Sequence, residues 1–199
     1  MPELPDVESF KKYLDSTSLN QKINEVKITR KRILEKISEE KLVNKLKKNK
    51  FFSSHRHGKY LFVKLKKHWL MLHFGMTGKL KYFKKPEEKP KHTRMLVKFS
   101  SGFNLAYDCQ RLLGKISIIK DINQYLKQKN LGPDALDIDF SDFYSRYKDR
   151  RGKIKSGLMN QKIIAGIGNI YADEILFQTG IHPETKLNNI NKAQLKIIY

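Results

Sequence analysis

Pro2 and Glu3 stand at the head of the run Met1-Pro2-Glu3-Leu4-Pro5-Asp6-Val7-Glu8. A small second residue suits removal of the initiator methionine, and removal exposes a secondary amine with a carboxylate beside it. Such an amine attacks a sugar carbon and forms an iminium with its substrate, which is nucleophilic catalysis without Ser or Cys. The attacking nitrogen must be unprotonated; an ordinary α-amino group titrates near pH ~8, and surrounding positive charge disfavours its protonated form. The same residues also suit a plain helix start, with Pro5 in the first turn and the acids complementing the dipole.

Three further groupings could do chemistry. Lys59 lies in His55-Arg56-His57-Gly58-Lys59-Tyr60, at the mouth of a predicted strand, where Gly58 allows close backbone approach and the flanking bases suit phosphate. No third or fourth ligand joins His55 and His57 at a metal-binding spacing, so these read as strand-end or phosphate-contact residues. His73-Phe74-Gly75-Met76-Thr77-Gly78 brackets Met76 with glycines, which would display an apolar wedge able to fill the gap left by an extracted base. A hairpin with Met76 in the core is the alternative. A second loop, Asp108 to Gly114, offers Arg111 to an unpartnered base and Leu113 as apolar bulk. Finally, Gly166-Ile167-Gly168-Asn169 enters a helix with its N–H groups outward, a phosphate-binding arrangement in which Asn169 would be both cap and contact. Arg150 to Lys155 supplies cations just upstream.

These groups need a scaffold. Leading apolar residues Val7, Phe10 and Leu14 predict a helix from Pro5 to about Leu14. Alternating runs predict strands at 23–28, 60–65, 69–74, 79–83, 95–99, 103–107 and 116–119, the pattern of a β-sandwich or barrel. A helical stretch at 33–46 interrupts them. Beyond Leu131-Gly132-Pro133 the period becomes helical, at 140–147, 153–159, 169–178 and 191–199. The chain thus divides into a β-rich front, residues 1–130, and a helical back, residues 131–199.

The balance of 41 Lys and Arg against 20 Asp and Glu gives a net charge of +21, which attracts polyanions and points to nucleic acid. A Lys-rich genome would raise acidic and basic residues together, so composition bias alone does not account for the excess. A single cysteine excludes an intrachain disulfide framework. No apolar run reaches membrane-spanning length and no signal pattern opens the chain, so a monomeric, cytoplasmic protein with no membrane partner is expected.

The segments MPELPDVE, HGKYLFVKL, LHFGMTGKL, LGPDAL and LMNQKIIAGIGNIYADEILFQTGIHP together resemble the formamidopyrimidine-DNA glycosylase and endonuclease VIII family of base-excision repair enzymes. LPDVE after MPE is more similar to the formamidopyrimidine branch. The resemblance implies an α+β fold: an N-terminal antiparallel β-sandwich with a helix, followed by a helical helix–two-turns–helix domain. It also implies a bifunctional DNA glycosylase and abasic-site lyase acting on oxidised purines in double-stranded DNA. In that family's terms Pro2 is the Schiff-base nucleophile, Glu3 moves protons at the sugar, and Lys59 donates a proton in β-elimination. Met76 and Arg111 fill the space of the flipped base, Leu113 stands where many relatives place an aromatic wedge, and His92, Arg150 and Asn169 fall where the family contacts the DNA backbone. Lys155 is a DNA-binding candidate from the upstream basic run.

The chain departs from the pattern in two places. Relatives usually carry a C-terminal zinc finger with paired Cys-x-x-Cys motifs; no such motif occurs here, so no metal or other cofactor is expected of these residues. The final helix runs to Tyr199 without a stop signal, which reads as a truncated product. The second loop has Leu113 where many relatives have phenylalanine, and an aliphatic group stacks less well on a base. A damaged-DNA-binding protein with little turnover is the alternative to the enzyme.

Overall fold

A computed structural model describes residues 1–199, and the chain forms two units, Met1–Tyr125 and Leu126–Tyr199.

The first unit opens with α1 (Leu4–Ser18). Pro5 sits in its first turn, where the missing N–H costs nothing. The Asp6 carboxylate accepts from the Glu3 backbone N–H at 2.8 Å, closing the start of the helix. Val7 and Leu14 are fully buried and Phe10 packs against the same core, as the helical spacing requires. Two antiparallel four-stranded sheets follow. One holds β1 (Ile23–Ile28), β6 (Thr93–Phe99), β7 (Asn104–Cys109) and β5 (Gly78–Phe83) in that order. The other holds β2 (Ser54–His57), β3 (Tyr60–Lys64), β4 (Trp69–His73) and β8 (Lys115–Ile119). Leu61, Val63, Leu70 and Leu72 from one sheet meet Val97, Leu105, Tyr107 and Cys109 from the other in a single core. Full burial of each aliphatic side chain stabilises by about 1.5–3 kcal/mol.

Two stretches differ from the sequence expectation. Residues 33–46 are not one helix: a 3-10 turn (Lys31–Ile33) is followed by extended chain, and α2 covers only Glu39–Leu46. Leu34 bridges to Ile116, the Glu35 N–H donates to the Ile116 carbonyl at 2.9 Å, and Lys36 has φ +52°. Pairing with the sheet thus overrides helix propensity until Ser38 caps α2 by accepting from the Lys41 N–H. The strand β2, missed in the sequence, is a polar edge whose side chains are held by α1. Ser54 donates to Asp15, and Arg56 pairs with Glu8 at 2.9 Å.

A short helix, α3 (Ile122–Gln128), spans the boundary. The second unit contains α4 (Phe140–Tyr147), α5 (Ile154–Met159), α6 (Asn169–Thr179) and α7 (Lys192–Ile198) around Phe143, Tyr147, Leu158, Ala172, Leu176 and Leu195. Asp139 and Asn191 cap α4 and α7 by accepting from the Asp142 and Gln194 N–H groups. Gly180 ends α6 in the left-handed region at φ +65°. No helix is long and apolar enough to cross a membrane.

Candidate active site and nucleic-acid interface

Strand register fixes where the reactive residues of the first unit stand. Tyr60 pairs with His73, and His73 with Lys115. The β2–β3 turn carrying Lys59, the β4–β5 loop carrying Met76 and the β7–β8 loop carrying Arg111 and Leu113 therefore share one end of the sandwich. Gly78 opposite Cys109 brings the second sheet to the same end. The start of α1 points there too, because Glu8 meets Arg56 whereas Asp15 meets Ser54, further from Gly58. Pro2 and Glu3 are thereby delivered beside Lys59.

Glu3 and Lys59 are both buried, at 1% and 7% exposure, and Pro2 is half-buried. Burial pushes the Lys59 ammonium below the usual lysine pKa, and the negative charge of Glu3 opposes that shift. A lysine so placed exchanges protons more readily near neutral pH than a solvated one, because the desolvated ammonium is a stronger acid. Gly58 adopts φ +53° to make the turn, and its carbonyl accepts from Arg56 at 3.3 Å. The Glu8–Arg56 pair, with the Arg56 side chain 8% exposed, locks α1 to the strand leading into Lys59.

The two loops form one structure. The Arg111 N–H donates to the Thr77 hydroxyl at 3.2 Å, and Gly75 (φ +59°) lies against the Leu113–Gly114 backbone with no room for a side chain. Gly114 in turn leaves space for the Tyr107 hydroxyl, which donates to the His73 carbonyl at 2.8 Å. From this base Met76, Arg111 and Leu113 all project into solvent; Met76 is 39% exposed, so the alternative of a core methionine does not hold. His92 is half-buried at the entrance to β6, 3.5 Å from Arg94.

Arg94 was not singled out in the sequence. Its guanidinium donates to the Cys109 carbonyl at 2.8 Å and the Gln110 carbonyl at 3.4 Å, fixing the backbone immediately before Arg111. No short motif marks such a contact, which spans two strands.

In the second unit the glycine-rich turn leads into α6, but the cap is Gly168. Asn169 is the first helical residue, and its side chain reaches Asp173 at 3.4 Å rather than the helix end. Gly168 can take the extended cap conformation without a competing side chain, and this displaces the cap by one position. Arg150 is exposed, its guanidinium donating to the Arg146 carbonyl at 2.6 Å. Lys155 pairs with Asp173 at 2.6 Å, so it is less available to phosphate than its position in the basic run suggested. Gln161, also missed, organises the turns: its amide nitrogen donates to the Met159 and Ile167 carbonyls, and its oxygen accepts from the Gly166 N–H at 3.0 Å.

The residues present do not suit zinc. Cys109 is fully buried in the sandwich core, and no group of three or more His, Cys, Asp or Glu converges.

Comparison with known proteins identifies the family. The family described as formamidopyrimidine-DNA glycosylase N-terminal domain matches residues 1–116, and the formamidopyrimidine-DNA glycosylase H2TH domain matches residues 131–199. The formamidopyrimidine-DNA glycosylase of Desulfitobacterium hafniense is 35% identical over all of this chain and 74% of its own length. That of Ligilactobacillus salivarius is 37% identical over 100% of this chain and 73% of its own length. A Lactococcus lactis structure in complex with abasic-site DNA superposes with a TM-score of 0.93 at 29% identity, covering 99% of this chain and 74% of that one. A second structure of the L. lactis enzyme, with DNA containing N7-benzyl-Fapy-dG, gives 0.92 at 30% identity over 99% and 74% of the two chains. With both family domains matched in order and the fold shared throughout, this chain belongs to the formamidopyrimidine-DNA glycosylase family of DNA-binding repair enzymes.

Proposed function

We propose that the protein removes oxidised purines, 8-oxoguanine and formamidopyrimidines, from double-stranded DNA and then cuts the strand by β-elimination. The observation that carries this reading is the buried Lys59 held beside buried Glu3 at the end of the sandwich where α1 begins. Once Met1 is gone, the Pro2 nitrogen attacks C1′ of the damaged nucleotide. The C1′–N bond to the base breaks and the base leaves with a proton. The Pro2 nitrogen gives up its own proton, the C1′–O4′ bond breaks with O4′ protonated, and an iminium joins Pro2 to the opened sugar. Glu3 sits where it can pass a proton to and from the sugar oxygen. The iminium acidifies the C2′ proton; its removal expels the 3′ phosphate, and Lys59 serves as the proton-transfer group of that step. Met76, Arg111 and Leu113 occupy the duplex at the site of the everted base, and water then releases the sugar fragment from Pro2.

Binding to DNA rests on the charge of +21, on His92 in the first unit, and on Arg150 and the N-terminus of α6 in the second, with Lys155 held in reserve by Asp173. The protein works as a monomer and needs no cofactor from these residues. Incubation with a duplex containing 8-oxoguanine opposite cytosine, followed by electrophoresis without added base, tests the proposal. A product ending in the unsaturated sugar remnant of β-elimination supports it. Retention of the intact strand with tight binding would support a damage-binding protein instead.

A further inference from the structure

Opposite the catalytic end, the sandwich carries a second cationic feature. A cavity of about 280 Å³ lies between the end of α2 and the β3–β4 turn, lined by Lys45, Lys47, Lys48, Lys66, Lys67 and His68 with Asn44 and Asn49. No carboxylate lines it, and none of its five lysines is held by an acidic partner. Some cations of this unit are compensated, as Lys11 is by Asp15 and Lys98 by Glu25; here five lysines converge on one concavity without any.

The Asn49 side chain organises the cavity. Its Oδ1 accepts from the Lys50 N–H at 2.9 Å and the Lys66 N–H at 3.4 Å, tying the two lysine-bearing segments together. Lys45 lies 3.4 Å from His68. Partial burial and then the ammonium groups of Lys45, Lys120, Lys67 and Lys64 hold the His68 pKa below the ordinary imidazole value. Complementing the α2 dipole accounts for Lys45 at the helix end, but not for Lys66 and Lys67 on the facing turn. Like charges gathered this closely repel one another, and a bound polyanion removes that penalty.

Position identifies the ligand. Lys59 precedes β3 and Lys66 follows it, so the strand separates the two sites by roughly 20 Å at its usual rise. We propose that this cavity is a second phosphodiester site, taking the backbone of a nucleic-acid segment other than the one engaged at the catalytic end. The assignment of that catalytic end rests on the function proposed above. With two such sites, the protein passes from one duplex to another through an intermediate bound to both.

The test is dissociation of the protein from a short fluorescent duplex at increasing concentrations of unlabelled duplex, for wild type and for Lys47→Gln/Lys66→Gln/Lys67→Gln. Direct transfer makes the wild-type dissociation rate climb with competitor, by roughly threefold or more, because the second segment binds before the first leaves. The triple variant should dissociate at a rate independent of competitor, with single-turnover strand cleavage within about twofold of wild type. The corresponding Lys→Arg triple variant should restore transfer, which separates charge from a folding defect. A wild-type rate that ignores competitor, or a Gln variant that keeps the dependence, overturns the proposal. Transfer without strand cleavage in the wild type would instead remove the catalytic reading and leave this site standing.

Discussion

A Cβ on Gly75 would lie 2.5 Å from the carbonyl carbon of Leu113 and 2.6 Å from the Gly114 nitrogen. The loop that presents Met76 and the loop that presents Arg111 and Leu113 are thus in backbone contact, and the side chains proposed to fill the void share a single base. Gly75 also holds φ +59°. Gly75→Ala should therefore cost about 2–5 kcal/mol from overlap and left-handed strain. Denaturant unfolding reads this as a lower midpoint, and the variant should lose discrimination between cytosine and adenine opposite the lesion. An unchanged midpoint would show that the two loops separate freely.

Lys59 offers a prediction with two opposed signs. Burial lowers its pKa in the folded state, so between the folded and the unfolded lysine values the unfolded chain binds more protons than the native one. The native state is penalised while Lys59 is charged, and the penalty fades as pH rises through the folded pKa towards 10.5. Lys59→Met should raise the thermal midpoint near neutral pH, with the gain shrinking as the pH climbs. The same substitution should slow β-elimination by roughly 10²- to 10⁴-fold, the range for loss of a general acid or base. A variant less stable than wild type at neutral pH would contradict the burial argument.

Much of this arrangement was legible in the sequence, and the exceptions have physical causes. Helices with a full apolar stripe, such as α1 and α4, and strands with clean alternation were found within a few residues. The strand β2 was hidden because its Ser-His-Arg-His run faces α1 through polar pairs rather than an apolar core. The segment 33–38 was misread as helix because its apolar residues follow the period while its backbone pairs with β8. In the candidate site, the exposed loop position of Met76 was legible from its flanking glycines. Arg94 and Gln161 were not, since each acts on backbone carbonyls that only the folded chain brings near.

Gln161 makes three hydrogen bonds that fasten the turns before α6. Gln161→Ala leaves those groups unpaired and should destabilise the protein by about 1–3 kcal/mol. Hydrogen exchange should quicken at Gly166 to Gly168 and DNA affinity should fall, while the amides of β3 and β4 keep their protection. Intact protection at Gly166 would refute the role.

Lys155 is held by Asp173 at 2.6 Å, and freeing it should strengthen DNA binding. Asp173→Asn is expected to steepen the dependence of log affinity on log salt by about 0.9, the increment for one added phosphate contact. Equilibrium titrations across a salt series check this. A slope equal to that of wild type would mean that Lys155 does not reach the backbone.

The central claim is that the nitrogen of Pro2 becomes covalently joined to the sugar. Borohydride reduction during reaction with an abasic-site duplex, followed by proteolysis and mass spectrometry, tests it directly. The predicted result is a sugar adduct on a peptide that begins at Pro2 with Met1 absent, and a weak or missing adduct in Pro2→Gly. An adduct mapped to a lysine instead, or a functional protein that retains Met1, would contradict the account.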